Sequence, residues 1–135
     1  MRHFLLDTGP LGDHLNKRRG VHIRVRTESA RGNRVGICPP VLAEFVYGIE
    51  NSATRDFNMD VLRIGLPALR VWPFDIRAAY EYGRLAAELR RIGRPMQPID
   101  IMVAAVALTL GSCTVVTKDS DLSAIPGLRV ENWSS

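Results

Sequence analysis

The chain has 135 residues and a mass of 15.0 kDa, which suits one domain with a full buried core. With 46% hydrophobic and 24% charged residues it has an ordinary globular composition, and no segment approaches the roughly 18 apolar residues that would span a membrane. Its net charge of +4 comes almost wholly from arginine and suits a polyanionic partner, although many basic proteins bind no nucleic acid. We expect residues 1–135 to form a single domain without a signal peptide.

The first half of the chain alternates apolar strand patterns with helical ones. Thr8 fits the N-cap of the first helix, with Pro10 in its first turn, because an N-cap hydroxyl accepts hydrogen bonds from free backbone amides. Pro39 and Pro40 interrupt the second strand. The predicted elements are strands over residues 3–6 and 35–38, a helix that starts at Thr8, and helices over residues 21–31, 40–50 and 53–66.

The second half continues this alternation. Asp75 caps a long helix with apolar residues near helical spacing, and Gly93 closes it. Residues 99–110 are nearly all apolar, so we expect that helix to be buried on most sides. Strands are predicted over residues 69–73, 114–117 and 128–131. Short apolar strands separated by helices predict an α/β fold, a three-layer α/β/α domain with a central, mostly parallel sheet.

Four carboxylates lie where an apolar segment meets a loop or a helix. Asp7 ends the first strand, and Asp119 follows the strand over residues 114–117. Glu44 lies in an apolar helix, and Asp100 opens the most apolar helix of the chain. Unpaired carboxylates are costly to desolvate, so four in such places predict one acidic pocket that holds a divalent metal.

The predicted sheet brings these residues together, because ligands bind outside the carboxyl ends of parallel strands. Carboxylate oxygens suit Mg²⁺ or Mn²⁺, and two such ions about 3.5–4 Å apart would clamp an in-line phosphoryl displacement. Mutual repulsion should raise at least one carboxylate pKa. We therefore predict a metal-dependent nuclease. Its predicted catalytic residues are Asp7, Glu44, Asp100 and Asp119, and its predicted metal ligands are these four with Asp121 as an outer ligand.

Each acidic residue also fits a structural role when it is considered alone. Asp7 can open a turn, Glu44 can face solvent, and Asp100 can favour a helix N-terminus through the helix dipole. Asp119 and Asp121 lie in a polar loop, where aspartate is common. The ordered set of acidic positions favours the metal site over these separate roles.

Two cysteines and three histidines complete the inventory of metal-ligating residue types. Cys38 and Cys113 lie in apolar surroundings and are interpreted as buried free thiols of a protein in the reducing cytoplasm. His3, His14 and His22 lack the spacing of zinc ligands, so we assign them no metal.

The acidic segments resemble those of the PIN-domain family and, within it, of VapC-type toxins from toxin–antitoxin pairs. The resemblance covers nearly the whole chain in order, and the ordered set is specific although each motif is short. The matching segments are LLDTGPL at residues 5–11, VLAEF at 41–45, PIDIMVAA at 98–105, VVTKDSDL at 115–122 and IPGLRVENW at 125–133.

The resemblance implies a PIN fold, dependence on Mg²⁺ or Mn²⁺, and endonucleolytic cleavage of tRNA, ribosomal RNA or mRNA that arrests growth. It implies a homodimer neutralised by a cognate VapB-type antitoxin. Asp7 and Asp100 match the principal metal ligands, and Glu44 matches a third acidic position. The fourth position falls at Asp119 or, with a small shift, at Asp121.

An antitoxin should silence such a site in two ways. It should insert an arginine or lysine toward Asp7 and Asp100, because a guanidinium pairs well with carboxylates. It should also lay an apolar helix along the helices in residues 8–31 and 41–66. The side chains expected to be exposed for this contact are Leu11, Leu15, Val46 and Ile49.

Several alternative functions compete with the nuclease. A HAD-type phosphatase needs a second aspartate two positions after the first, where this chain has Gly9. A receiver domain needs an acidic pair beside the first strand and a phosphorylated aspartate near mid-chain, and neither is present. A catalytically idle PIN binding module and a housekeeping PIN nuclease of RNA processing also fit the motifs. The presence of all four acidic residues argues against the idle module.

Overall fold

Five parallel strands form the centre of the molecule, in the spatial order β3-β2-β1-β4-β5. The computed structural model describes residues 1–119 and 121–135. The strands are β1 His3–Leu6, β2 Arg34–Ile37, β3 Arg70–Val71, β4 Cys113–Val116 and β5 Arg129–Glu131. β1 is central, with Leu5 opposite Gly36 of β2 on one side and Val115 of β4 on the other. The predicted parallel sheet is confirmed.

In the described part of the chain, six helices connect the strands and cover the sheet as outer layers. They are α1 Thr8–Leu15, α2 Val21–Ala30, α3 Pro39–Glu50, α4 Arg55–Gly65, α5 Ile76–Arg91 and α6 Pro98–Leu110. Two short 3-10 turns at Leu66–Ala68 and Ser120–Ala124 complete the chain path. α5 and α6 pack against each other, and α6 also contacts β4. The three-layer α/β/α arrangement is confirmed.

The N-cap of α1 differs from the prediction. Asp7 caps this helix, and its carboxylate accepts a hydrogen bond of 2.9 Å from the amide of Thr8, which is the first helical residue. The backbone of Asp7 is extended while that of Thr8 is already helical, so the cap falls one residue earlier than expected. Asp75, in contrast, caps α5 as predicted, because its Oδ1 accepts a hydrogen bond of 2.9 Å from Ala78.

The strand predicted over residues 69–73 is shorter in the structure. β3 contains only Arg70 and Val71 and pairs with β2 alone, so it is an edge strand. The two strands approach closely at Gly36, where an added Cβ would lie 2.5 Å from the backbone oxygen of Arg70. Glycine is therefore required at position 36 for this edge strand to pair.

The core lies on both sides of the sheet and includes most of α6. This helix is buried as predicted, through Ile101, Val103, Ala104, Ala105, Val106 and Ala107. The free thiols of Cys38 and Cys113 are buried, also as predicted, and burial raises their pKa values to about 11 and about 12. No helix in the described part of the chain is long and apolar enough to cross a membrane.

Asp13 is a buried carboxylate in α1, with 2% of its surface exposed. Lys118, which follows β4, places its Nζ 2.7 Å from Oδ2 of Asp13, and Arg19 places Nη1 2.9 Å from Oδ1. Arg18 lies farther away, with 3.7 Å between its Nε and Oδ1. Burial acts to raise the pKa of Asp13, but Lys118 and Arg19 outweigh it, so this pKa lies below its usual range. The ion pair with Lys118 joins α1 to the loop after β4.

Glu28 is a second buried carboxylate, at the end of α2, and is also 2% exposed. Its Oε2 lies 2.7 Å from Nε of Arg24 and 3.4 Å from Nη1 of Arg31, and its Oε1 accepts a hydrogen bond of 2.9 Å from Asn33. Burial acts to raise the pKa of Glu28, but these partners outweigh it and hold the pKa below its usual range. Glu28 therefore fixes the turn between α2 and β2.

Candidate active site

Asp7 lies at the carboxyl end of β1, where the neighbouring strand β4 also ends. Its amide donates a hydrogen bond of 2.9 Å to the carbonyl of Val116, the last residue of β4. One carboxylate oxygen accepts from the Thr8 amide at 2.9 Å, and the other accepts from the Thr117 hydroxyl at 2.9 Å. Only 9% of Asp7 is exposed. The carboxylate is therefore held in one orientation at the edge of the sheet where a ligand is expected.

Glu44 is brought to the same edge by α3. The Thr8 hydroxyl, in the first turn of α1, donates a hydrogen bond of 2.5 Å to its Oε1. Glu44 is exposed, so this hydrogen bond limits the rotamers of an otherwise mobile side chain. Thr8 therefore places the carboxylate of Glu44 beside that of Asp7.

Asp100 lies in the first turn of α6 and is half-buried. It lines a cleft of about 340 Å³ together with Asp119 and Asp121 from the loop after β4, and with Gln97. Oδ1 of Asp119 accepts a hydrogen bond of 2.9 Å from the Asp121 amide. The amide of Asp119 itself donates a bond of 3.0 Å to the Thr117 hydroxyl. Thr117 therefore contacts both the Asp7 side chain and the backbone of Asp119.

The two candidates for the fourth acidic position differ in their surroundings. Asp121 lies 3.7 Å from a guanidinium nitrogen of Arg94. Asp119 has no ion pair among the described residues and is joined through Thr117 to Asp7. This difference favours Asp119 for the inner position and Asp121 for an outer one.

The electrostatics of Asp7 fit an acidic pocket. Burial raises its pKa, hydrogen bonds from Thr8 and Thr117 act in the opposite direction, and the result lies above the usual range. The charges of Glu44 and Asp119 also raise the pKa. Asp7 is thus a buried acid that lies within electrostatic reach of two further carboxylates.

The pKa of Asp100 is also raised. Its pKa is raised to about 6, first by burial and then by the charges of the other four acidic residues. The expected elevation of a carboxylate pKa is therefore confirmed. Those four residues are Asp7, Asp119, Glu44 and Asp121.

The donor set suits a hard divalent cation that keeps part of its water. Within residues 1–119 and 121–135, no three or more carboxylate, histidine or cysteine side chains already enclose a metal position. Mg²⁺ does not need such a cage, since it is usually bound by one or two carboxylates with waters and substrate phosphate. Asp7 and Asp100 form no ion pair with any described residue, although both are largely withdrawn from solvent. These unneutralised oxygens fit Mg²⁺ or Mn²⁺ held in an open site.

A separate apolar groove of about 630 Å³ lies between α1, α2 and α4. Two of the side chains predicted to be exposed for an antitoxin helix are instead buried: Leu11 is 0% exposed and Ile49 is 5% exposed. Leu11 packs in the main core, and Ile49 packs with Met59 and Leu62 in a second cluster. The residues that line the groove include Leu15, Val25, Val61, Ile64, His14 and His22.

Some residues near the site were assigned no role from the sequence. Exposed Lys118 forms an ion pair with buried Asp13 next to the loop of Asp119. In the sequence, only the position of Lys118 within a matching motif pointed to it. Asn16, Phe45 and Asn58 line a pocket beside Glu44, and no sequence pattern joins them because they lie on different elements.

A model of the PIN domain matches residues 4–128. The chain belongs to the PIN domain family. It is 34% identical over 133 residues, 98% of its length and 99% of the relative, to the tRNA(fMet)-specific endonuclease VapC of Salmonella typhimurium. It is 28% identical over 130 residues, 96% of its length and 97% of the relative, to ribonuclease VapC2 of Rickettsia felis. The resemblance to the VapC type of PIN domain is confirmed.

Solved structures give the same assignment. A chain in the crystal structure of VapBC2 from Rickettsia felis bound to a promoter DNA fragment superposes with a TM-score of 0.89 at 28% identity, covering 98% of this PIN domain and 99% of that chain. A chain of DNA-bound VapBC from Salmonella typhimurium gives a TM-score of 0.87 at 33% identity, with coverages of 98% and 99%. Family membership excludes the HAD-type phosphatase and the receiver domain.

Proposed function

We propose that this protein is the toxin of a type II toxin–antitoxin pair and a metal-dependent endoribonuclease that arrests growth by cutting RNA. One observation carries the proposal: in a VapC-type PIN domain, Asp7 at the end of β1 and Asp100 in the first turn of α6 form no ion pair with any described residue. An idle binding module has no reason to keep these repelling charges. A housekeeping nuclease is less well supported, because the relatives at 34% and 28% identity are named as VapC nucleases.

The proposed chemistry assigns each carboxylate a position around one phosphodiester. Asp7 and Asp100 would hold Mg²⁺ or Mn²⁺, and the bound ion would supply positive charge against the charge that develops on the phosphate. Glu44, held by the Thr8 hydroxyl, orients the attacking water and accepts its proton. Asp119, linked to Asp7 through Thr117, completes the inner group of carboxylates. Asp121 remains an outer ligand.

The proposed substrate is a structured RNA, and tRNA is the first class to test. A relative at 34% identity is named as a tRNA(fMet)-specific endonuclease. Exposed arginines stand at the rim of the site, including Arg18 and Arg94. Such side chains hold flanking phosphates without reading sequence. We place this reaction in the cytoplasm, where tRNA is found and where the free thiols of Cys38 and Cys113 stay reduced.

The proposed partner is a VapB-type antitoxin, since the similar solved structures are VapBC assemblies. Its apolar helix would occupy the groove between α1, α2 and α4, which presents Leu15, Val61 and Ile64. An arginine or lysine of the antitoxin would pair with Asp7 and Asp100 in place of the metal. Calorimetry tests this point, because metal affinity should fall in the complex relative to the free toxin. Unchanged affinity would remove the cationic plug from the proposal.

We further propose a homodimer built from the single domain of residues 1–135. Ile76 and Tyr80 are exposed and lie one turn apart on α5, and Val71 is exposed on the edge strand β3. Exposed apolar side chains grouped in this way favour association with a second copy. Analytical ultracentrifugation of the purified chain measures the oligomeric state, and Tyr80→Glu should shift it toward monomer.

The decisive test of the proposed function is cleavage of purified tRNA with Mg²⁺, with Mn²⁺ and with a chelator. We expect cleavage with either metal, none with the chelator, and none by Asp100→Asn. Asp60→Asn is the matched control, because Asp60 is an exposed aspartate of α4 that is 3.7 Å from Arg63. Metal-independent cleavage, or cleavage by Asp100→Asn at the wild-type rate, would reject the proposed function.

A further inference from the structure

A second pocket adjoins the carboxylates. It has a volume of about 340 Å³ and lies between α1, α3 and α4. Thr8 and Glu44 line it, and the same two residues form the hydrogen bond that places Glu44 in the candidate active site. A group in this pocket therefore lies next to the phosphodiester that would be cleaved at the carboxylates. The other walls include Asn16, Phe45 and Asn58.

Two glycines shape this pocket. An added Cβ at Gly12 would lie 3.3 Å from Cε1 of Phe45, so the aromatic ring closes tightly against α1. An added Cβ at Gly48, one turn from Glu44 on α3, would have nothing within 4 Å. The first glycine lets the ring of Phe45 form a wall, and the second leaves the space in front of it open.

Two side-chain carbonyl oxygens in the pocket remain available as hydrogen-bond acceptors. Nδ2 of Asn16 donates to the carbonyl of Gly12 at 3.0 Å, and Nδ2 of Asn58 donates to Ser52 and Thr54 at 3.0 Å each. The Oδ1 atoms of both asparagines accept no hydrogen bond from the described residues. A planar group with N–H donors at its edge would satisfy these two carbonyls.

Charge and aromaticity distinguish this pocket from the apolar groove. The half-buried aromatic side chain of Phe45 lines this pocket, and exposed Arg18 places a positive charge at its rim. Proteins recognise unpaired RNA bases by stacking them on aromatic rings and bonding their edges. An antitoxin helix is better matched to the groove of Leu15 and Ile64, which is the more apolar of the two sites.

We propose that this pocket binds one unpaired nucleobase next to the cleaved phosphodiester and thereby selects the cleavage site. The base stacks on Phe45, and its N–H edge faces the carbonyls of Asn16 and Asn58. This inference rests on the proposed ribonuclease function and adds a specificity determinant to it. The nucleobase pocket is distinct from the carboxylates that hold the metal.

The test fills the pocket without touching its polar groups. Gly48→Leu places a side chain in the open space, and Gly83→Leu is the matched control, because Gly83 lies in α5 with nothing within 4 Å of an added Cβ. Both variants exchange a helix glycine for a better helix former, so neither should lower the thermal midpoint. Each protein cleaves a pool of RNA hairpins with randomised loops, and the products are sequenced.

We expect the wild-type protein and Gly83→Leu to prefer certain bases at one position beside the cut. Gly48→Leu should lose at least about tenfold of that preference, the size of one base–aromatic contact. In a second arm, hairpins carry an abasic nucleotide at that position. The wild-type protein should cut them about tenfold to a hundredfold more slowly, and Gly48→Leu should cut abasic and intact hairpins at similar rates.

Binding of the same hairpins, measured by fluorescence anisotropy with chelator, separates the two proposals. If the wild-type protein cuts no RNA but binds intact hairpins more tightly than abasic ones, and Gly48→Leu does not, the proposed function fails and the pocket stands. An unchanged base preference in Gly48→Leu overturns the pocket. If Gly48→Leu cleaves RNA as the wild-type protein does but is inhibited less by the antitoxin, the nucleobase pocket is also overturned. That result would assign the pocket to the antitoxin.

Discussion

Two regions of this PIN domain contain carboxylates that are largely shielded from solvent, and the regions differ in whether cationic side chains lie beside them. Asp13 and Glu28 are each 2% exposed, and each is held by arginine or lysine side chains, so their pKa values lie below the usual range. Asp7 and Asp100 lack such a cation among the described residues, and their pKa values lie above it. Burial does not separate the two pairs, since Asp13 and Glu28 are the more buried. The two pairs differ in whether a cationic side chain lies beside the carboxylate.

This contrast explains how the chain can concentrate acid within a basic protein. Arginine is abundant, and the Asp13 carboxylate has three cationic side chains within 4 Å, those of Arg18, Arg19 and Lys118. Among the described residues, the side-chain hydrogen bonds to Asp7 nevertheless come only from the Thr117 hydroxyl and the Thr8 amide. A site that excludes protein cations stays open to a metal ion or to the cation of a partner.

Removing charge from the unpaired carboxylates Asp7 and Asp100 should have the strongest consequence. Asp7→Asn and Asp100→Asn should each lower RNA cleavage by at least about a hundredfold, because each removes charge from the metal position. Thermal midpoints without metal should stay the same or rise, since one repelling charge is lost. Cleavage rates with Mg²⁺ and thermal unfolding of metal-free protein measure the two effects. If a variant loses both activity and its folded state, that aspartate has a structural role like that of Asp13.

The complementary change affects the paired group. Asp13→Asn should lower the free energy of unfolding by about 2 kcal/mol, because it removes charge-assisted hydrogen bonds while Lys118 and Arg19 can return to water. The exposed control Asp60→Asn should change it by less than about 0.5 kcal/mol. Urea unfolding of both variants gives the comparison. Equal stability of the two would mean that the Asp13 ion pairs contribute nothing to the fold.

The pH dependence should separate the two regions by sign. The pKa of Asp100 is about 6 in the folded protein against an ordinary value of 3.8, so its contribution to stability is complete below pH 3.8 and is lost as pH rises through about 6. The lowered pKa values of Asp13 and Glu28 act in the reverse direction, and their contribution is lost on acidification. Urea unfolding at pH 5 and pH 7.5 measures how the free energy of unfolding changes with pH. The part of this change that comes from Asp100 should be absent in Asp100→Asn.

The same titration should govern activity. If Asp100 must be ionised to hold the metal, cleavage should fall about tenfold for each pH unit below its pKa of about 6 and level off above it. Single-turnover rates from pH 5 to pH 8 give the profile. A rate that stays constant down to pH 5 would contradict the need for ionised Asp100.

The smallest expected effect distinguishes Asp119 from Asp121. Asp119→Asn should lower cleavage several-fold more than Asp121→Asn, because Asp119 is joined to Asp7 through Thr117 whereas Asp121 lies near Arg94. The two variants can be compared by kcat/KM on one hairpin substrate. An inactive Asp121→Asn beside a fully active Asp119→Asn would reverse the assignment.

Much of the fold could be predicted because local pattern and long-range packing agree. Continuous apolar strands predicted the parallel sheet, and the apolar helix over residues 99–110 was confirmed as buried α6. The prediction was wrong where a residue's environment depends on distant elements. Leu11 and Ile49 have helical spacing that shows a face of a helix is apolar but not whether that face meets the core or solvent.

The candidate site divides in the same way. Asp7 and Asp119 could be placed together from strand ends alone, since parallel strands finish at one edge. The Asp13–Lys118 ion pair could not, because its partners belong to opposite halves of the chain and nothing local joins them. The nucleobase pocket is likewise made by three helices whose packing angles the sequence does not state.

The ion pair between Lys118 and Asp13 also has a mechanical consequence. Lys118 immediately precedes Asp119, and Asp13 lies on α1, which borders both the nucleobase pocket and the apolar groove. With 2.7 Å between the charged atoms and one partner buried, the loop cannot shift relative to α1 without separating opposite charges. A protein that binds in the groove and displaces α1 would therefore pull on Lys118, the residue next to Asp119.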